Sequence, residues 1–136
     1  MDRIEYRAGY EYQTARDYRV WTGIRPSAAV VTEFIALDRD GWITIRSAYA
    51  WDGPSGPAID TKNFMRGSLV HDALYQLMRE GRLPQQHRDT ADRLLQRMCR
   101  EDGMSAIRAW WVYQGVRFGG GPAIDPINDN PILTAP

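Results

Sequence analysis

The sequence predicts an α+β protein: a small N-terminal antiparallel sheet, then a Gly/Pro-rich loop, then three helices of which the first two run antiparallel. Three observations carry this reading. Up to about Tyr49 the apolar residues alternate or cluster in short runs rich in Tyr, Val, Ile and Trp, which is the pattern of strands. Residues 51–57 then read WDGPSGP, where two Pro and two Gly forbid regular pairing and leave a rigid loop rich in backbone carbonyls. Beyond the loop, apolar residues recur at three- and four-residue spacing through three successive segments.

Within the β-rich part, residues 10–13 and 18–22 are the weaker strands. The best hairpin sets residues 30–37 against 42–48 across Asp38-Arg39-Asp40-Gly41, where Gly41 supplies the positive φ of a tight turn with a bulge. The first helix covers residues 64–80, with Leu69, Val70, Ala73, Leu74, Leu77 and Met78 on one face and Gly81 as its C-terminal cap. Pro84 opens the second, which carries Ala91, Leu94, Leu95, Met98 and Cys99 on one face and ends at Asp102-Gly103. The third runs from about Ser105 to Phe118. Its stripe of Ile107, Trp110, Trp111 and Phe118 reads as core or as a subunit contact rather than a membrane-interface belt. Gly119-Gly120-Gly121-Pro122 stops it, and a Pro-studded arm follows.

A length of 136 residues suits one domain, divided into a β-rich part (1–50), the loop (51–63), a helical part (64–119) and the arm (120–136). Seventeen basic residues balance seventeen acidic ones, which removes the electrostatic footprint that nucleic-acid binding needs. Sixteen of the basic residues are Arg and one is Lys62, a bias explained more simply by a GC-rich genome than by a selected phosphate or carboxylate surface. The single Cys99 forms no internal disulfide and reads as a reduced core residue. No apolar run approaches the ~18 residues of a membrane span, and the first ten residues hold no signal-peptide core. These features place the chain in a reducing cytoplasm.

The chemistry concentrates in Ser68-Leu-Val-His-Asp-Ala-Leu-Tyr75. On a helix His71 and Tyr75 stack on one face, while Asp72 is turned by about 100° towards a neighbouring loop. Neutral imidazole is suited to take a proton near pH 7, and a carboxylate beside carbonyl-rich backbone suits a hard cation such as calcium. Asp92 follows His71 on the next helix. With the two helices antiparallel through the link at residues 81–85, Asp92 reaches the level of His71 and Tyr75 and orients the imidazole. The competing reading is a buried His-Asp-Tyr network that ties helix to loop without reacting. His87 reads as surface, and the absence of HExxH, CxxC, GxSxG, P-loop and GxGxxG patterns leaves zinc, serine-nucleophile and nucleotide chemistry without an anchor.

Tyr49, Gly53-Pro54, Gly56-Pro57, His71-Asp72-x-x-Tyr75 and Ala91-Asp92 fall in the order seen in phospholipase A2, and the pattern most resembles the disulfide-free viral capsid form. The resemblance spans residues 49–99. It implies a catalytic set of His71, Asp92 and Tyr75, with calcium held by Asp72 and by the loop at Gly53, Ser55 and Gly56. Asp52 departs from that loop, where carbonyls dominate; it caps the turn, joins Asp72 on a cation, or serves as the acid of another reaction. The stretches YAWDGPSGP and SLVHDALY, then Ala91-Asp92 and a late VRFG, are similar to a family of small phage and prophage proteins known as domain of unknown function 1353. That likeness implies a viral or prophage origin and supplies no activity.

Two functions follow as expectations. In the first, His71 deprotonates a water that attacks a phospholipid or other ester, and calcium stabilises the oxyanion. In the second, the protein is a non-enzymatic component of a phage tail or head, its cluster is structural, and its partners are other virion proteins. In either case a homo-oligomer is expected to form through the Trp110/Trp111 helix or the C-terminal arm.

Overall fold

A computed structural model of the chain describes residues 6–7, 12–51 and 61–119. The described strands belong to one compact unit and the described helices to another, and the α+β class holds. Among the described residues, seven short strands form two antiparallel sheets: β1 (Tyr6–Arg7), β2 (Tyr12–Thr14), β3 (Tyr18–Trp21), β4 (Val30–Val31), β5 (Ile35–Leu37), β6 (Trp42–Ile45) and β7 (Ala50–Trp51). The three-stranded sheet has the order β1-β2-β7 and the four-stranded sheet β3-β6-β5-β4, so the single sheet expected from the sequence is two.

In the larger sheet, Tyr18 pairs with Ile45 and Ile35 with Ile45 on its other side, while Leu37 pairs with Ile43. Tyr18, Val20, Val30, Ile35, Leu37, Ile43 and Ile45 are all buried, and the period-2 alternation puts them on one face. On the opposite face the Arg19 guanidinium lies 4.2 Å from the centre of the Trp42 ring. The 38–41 turn forms as expected. Asp38 Oδ1 accepts from the backbone N–H of Asp40 and of Trp42 at 2.9 and 3.0 Å, and Gly41 takes φ +101°.

The other arm of that hairpin is different, because residues 30–37 are two strands and not one. The Thr32 hydroxyl accepts from Ile35 N–H at 3.0 Å, and Thr32 N–H donates to the Ile35 carbonyl at 2.7 Å. A threonine side chain bonding locally competes with the ladder and folds the chain back on itself. Trp51 likewise belongs to strand β7, paired with Tyr12, and not to the loop. The rest of the Gly/Pro stretch, residues 52–60, and the arm from residue 120 lie outside the described residues.

The helices are α1 (Met65–Arg79), α2 (Arg88–Glu101) and α3 (Ala106–Gly119), with 3-10 turns at Thr61–Asn63 and Gln85–His87. Gly81 at φ +74° closes α1, where its N–H bonds to the Met78 carbonyl and Arg82 N–H bonds to that of Leu77, the usual left-handed ending of a helix. Helices α1 and α2 are antiparallel. Arg66 bonds to Glu101 and Asp102, His71 to Asp92, and Tyr75 to Arg88, so the contacts climb one helix as they descend the other. The close approach occurs at Gly67, where a Cβ would stand 2.9 Å from Leu95 Cδ1.

Helix α1 is buried well beyond a single stripe: from Met65 to Met78 every residue except Asp72 is buried. Helix α3 is the reverse, since Ala109 alone among its residues is fully buried. Ala109, with Val112 and Val116 partly buried, packs on Phe64, Leu95, Cys99 and Met104. Of the two readings of Ile107, Trp110, Trp111 and Phe118, core or subunit contact, the first fails: Trp111 is 63% and Phe118 88% exposed. An apolar helix has no unique inner face by pattern, and the small side chain of Ala109 permits the closer approach.

Candidate functional site

Residues 71 and 75 lie one turn apart on α1, and their rings stack with centroids 4.0 Å apart. Residue 92 faces them from the first half of α2. His71 Nε2 stands 2.7 Å from Asp92 Oδ1, and the Tyr75 hydroxyl donates to the same oxygen at 2.5 Å. Asp92 is fully buried and His71 nearly so. Two interactions that the sequence did not suggest complete the cluster. Arg117 Nη1 on α3 donates to Asp92 Oδ2 at 3.0 Å, and Arg88 Nε donates to the Tyr75 hydroxyl at 3.3 Å while standing 3.9 Å from Asp92 Oδ2.

Arg88 and Arg117 each belong to a wider set. Arg88 Nη2 donates to the carbonyls of Val116 and Arg117 at 3.1 and 2.7 Å. The Tyr113 hydroxyl donates to Asp89 Oδ1 at 2.6 Å, Arg93 Nε donates to Asp89 Oδ2 at 2.7 Å, and the Arg93 guanidinium lies over the Tyr113 ring. Arg88 had one local signal, its position four residues before Asp92 on one helix face. Arg117, twenty-five residues from Asp92, had none.

Burial opposes a charge on His71, yet the carboxylates of Asp72 and Asp92 outweigh it and hold the imidazole pKa above its ordinary value. Burial likewise opposes ionisation of Asp92. The donors from His71, Tyr75 and Arg117 prevail, and the carboxyl sits below its usual range. Asp92 is therefore an acceptor on both oxygens. It follows that His71 Nε2 carries a hydrogen and donates it, so the neutral ring leaves its lone pair on Nδ1. That second nitrogen lies 3.9 Å from Asp72 Oδ1, on a side chain 40% exposed. The Tyr75 phenol is pushed up by burial and by Asp92, and it remains a donor.

The sequence thus named three residues that the fold brings together, His71, Tyr75 and Asp92, whereas Asp72, which helical spacing assigns to a separate site, stands beside the other nitrogen of the same imidazole. Among the residues suggested for a cation, Asp52, Gly53, Ser55 and Gly56 lie outside the described residues. Asp72 offers one hard oxygen donor of the kind calcium takes. Among the described residues no group of three or more His, Cys, Asp or Glu could hold a metal. Cys99 is buried, its thiol pushed up to about 12 mainly by that burial, which makes it inert as a nucleophile. No helix among the described residues is long and apolar enough to cross a membrane.

Fold and site together define an α+β protein whose helical unit encloses a His-Asp-Tyr cluster braced by two arginines. The family model described as "Protein of unknown function (DUF1353)" matches residues 28–116, and the chain belongs to that family. The match takes in β4 to β7 and the helices as far as Val116, leaving out β1 to β3 and Arg117. No curated protein and no solved structure matches the chain.

Proposed function

We propose that this protein is a calcium-assisted hydrolase of phospholipid or related esters, with His71 as general base. The observation that carries the reading is the division of labour on one imidazole: Nε2 is bound to a buried carboxylate 2.7 Å away, and Nδ1 faces the half-exposed Asp72. A neutral imidazole whose one nitrogen donates to a fixed carboxylate has its other nitrogen aimed and ready to accept a proton. In this reading Nδ1 takes a proton from water as the water oxygen attacks the ester carbonyl. The same nitrogen returns the proton to the departing alkoxide, so the ring ends as it began. Asp92 and Tyr75 hold the ring in place. Calcium on Asp72 would supply a Lewis acid for the oxyanion.

The test is release of fatty acid from phospholipid in mixed micelles, with and without calcium, beside His71→Asn and Asp72→Asn variants whose fold is checked by circular dichroism. Calcium-dependent release that is lost in both variants supports the proposal. Release no greater than that of His71→Asn at any calcium level overturns it.

A second reading takes the protein as a non-enzymatic component of a phage virion, with the cluster as a polar clamp on three helices. The exposed Ile107, Trp110, Trp111 and Phe118 favour it, because aromatic surface of this kind is enriched where proteins meet.

A further inference from the structure

The two oxygens of Asp92 are held by different elements. Oδ1 accepts from His71 and Tyr75 on α1, whereas Oδ2 accepts from Arg117 on α3 at 3.0 Å. A carboxylate is planar and turns about a single bond, so a partner that fixes Oδ2 also fixes the direction of Oδ1. Arg88 is the weaker partner of that oxygen: its Nε stands 3.9 Å from Oδ2 and is directed at the Tyr75 hydroxyl, and its Nη2 at the carbonyls of Val116 and Arg117. Those two bonds tie the backbone that bears Arg117 to α2. Arg117 Nη1 also stands 3.8 Å from Asp89 Oδ1, so the guanidinium is steadied by a second carboxylate one turn before Asp92.

We propose that Arg117 is a positioning residue for the His71–Asp92 pair, gripping Asp92 Oδ2 from α3 so that His71 keeps its hydrogen on Nε2 and its lone pair on Nδ1. The effect on turnover rests on the hydrolase reading, whereas the effect on the imidazole does not. A guanidinium suits the task because its planar fork sets direction as well as charge. With Arg117 removed, Asp92 is held by His71 and Tyr75 at Oδ1 and by the 3.9 Å approach of Arg88 to Oδ2, so the carboxylate plane is less firmly set and the imidazole hydrogen is no longer confined to Nε2.

The experiment reads the tautomer of His71 by long-range proton–nitrogen NMR on the full chain, at a pH where the ring is neutral. A His87→Gln background leaves one histidine signal, since the chain has two. The starting protein should show the Nε2–H form alone. Arg117→Leu should show both tautomers, Arg117→Lys should move back towards the starting ratio, and Arg117→Gln replaces the leucine variant if that fails to fold. In the hydrolysis assay the neutral variants should lose about 10- to 100-fold in kcat, the usual cost of a lost supporting bond, with KM within about twofold. A folded leucine or glutamine variant with an unchanged tautomer overturns the proposal. So does a lysine variant as mixed as the neutral ones, or a starting protein already mixed. Absence of hydrolysis in the starting protein would count against the hydrolase reading, and the tautomer ratio would still decide the role of Arg117.

Discussion

His71 and Asp92 are twenty-one residues apart and on different helices, yet Nε2 of one lies 2.7 Å from Oδ1 of the other in a fully buried setting. Removing the carboxylate would leave an imidazole, a phenol and a guanidinium without their acceptor. We expect Asp92→Ala to lower stability by about 3–5 kcal/mol, the cost of breaking a buried charged pair by deleting one side. Asp92→Asn, which keeps volume and one acceptor oxygen, should cost less. Urea unfolding of both variants checks this, and equal losses would show that charge and acceptor geometry matter less than the bonds suggest.

Stability should depend on pH on both sides of a plateau. The folded pKa of His71 is raised above 6.5, so its contribution is complete below that value and is lost as pH rises through the folded pKa. The folded pKa of Asp92 is lowered below 3.8, so its contribution is complete above that value and is lost as pH falls through the folded pKa. Melting temperature measured across pH should therefore decline above the plateau, and His71→Gln should remove that alkaline decline and shrink the acid one, since His71 leads the donors that lower Asp92. An alkaline limb unchanged in the variant would show that another group is responsible.

The helix crossing at Gly67 gives a third expectation. A Cβ there would meet Leu95 Cδ1 at 2.9 Å and Cys99 Sγ at 3.4 Å, and the branched side chain of Gly67→Val reaches further still. Overpacking of this kind costs about 1–3 kcal/mol. Gly115, with nothing within 4 Å of its added Cβ, is the control, since Gly115→Ala should gain up to about 1 kcal/mol from helix propensity. Denaturant midpoints that move the same way in both variants would contradict the close approach.

Much of this site was legible in the sequence for a local reason. Helical spacing alone puts His71 and Tyr75 on one face, and a link of a few residues after Gly81 leaves the next helix little choice but to return antiparallel, carrying Asp92 to their level; that the Asp72 carboxylate still reaches within 3.9 Å of His71 Nδ1 was not legible. The 38–41 turn was legible in the same way, because Asp38 and Gly41 act on backbone within four residues of themselves. Pattern misled where two local options had similar energy. Thr32 turned an even apolar run into a hairpin, and α3, apolar around most of its circumference, offered two faces and buried the one with the smaller side chains.

What the sequence by itself determined was the class of fold, the three helices and the trio of His71, Tyr75 and Asp92, because periodicity and short connections are set by backbone geometry. What only the tertiary structure decided was which charges that trio would meet. Arg66 finds Asp102 and Glu101, Arg88 finds the end of α3, and Arg117 finds Asp92. A long flexible side chain has no preferred partner until packing places one within reach, and the partner chosen depends on helix phase and crossing to within an ångström or two.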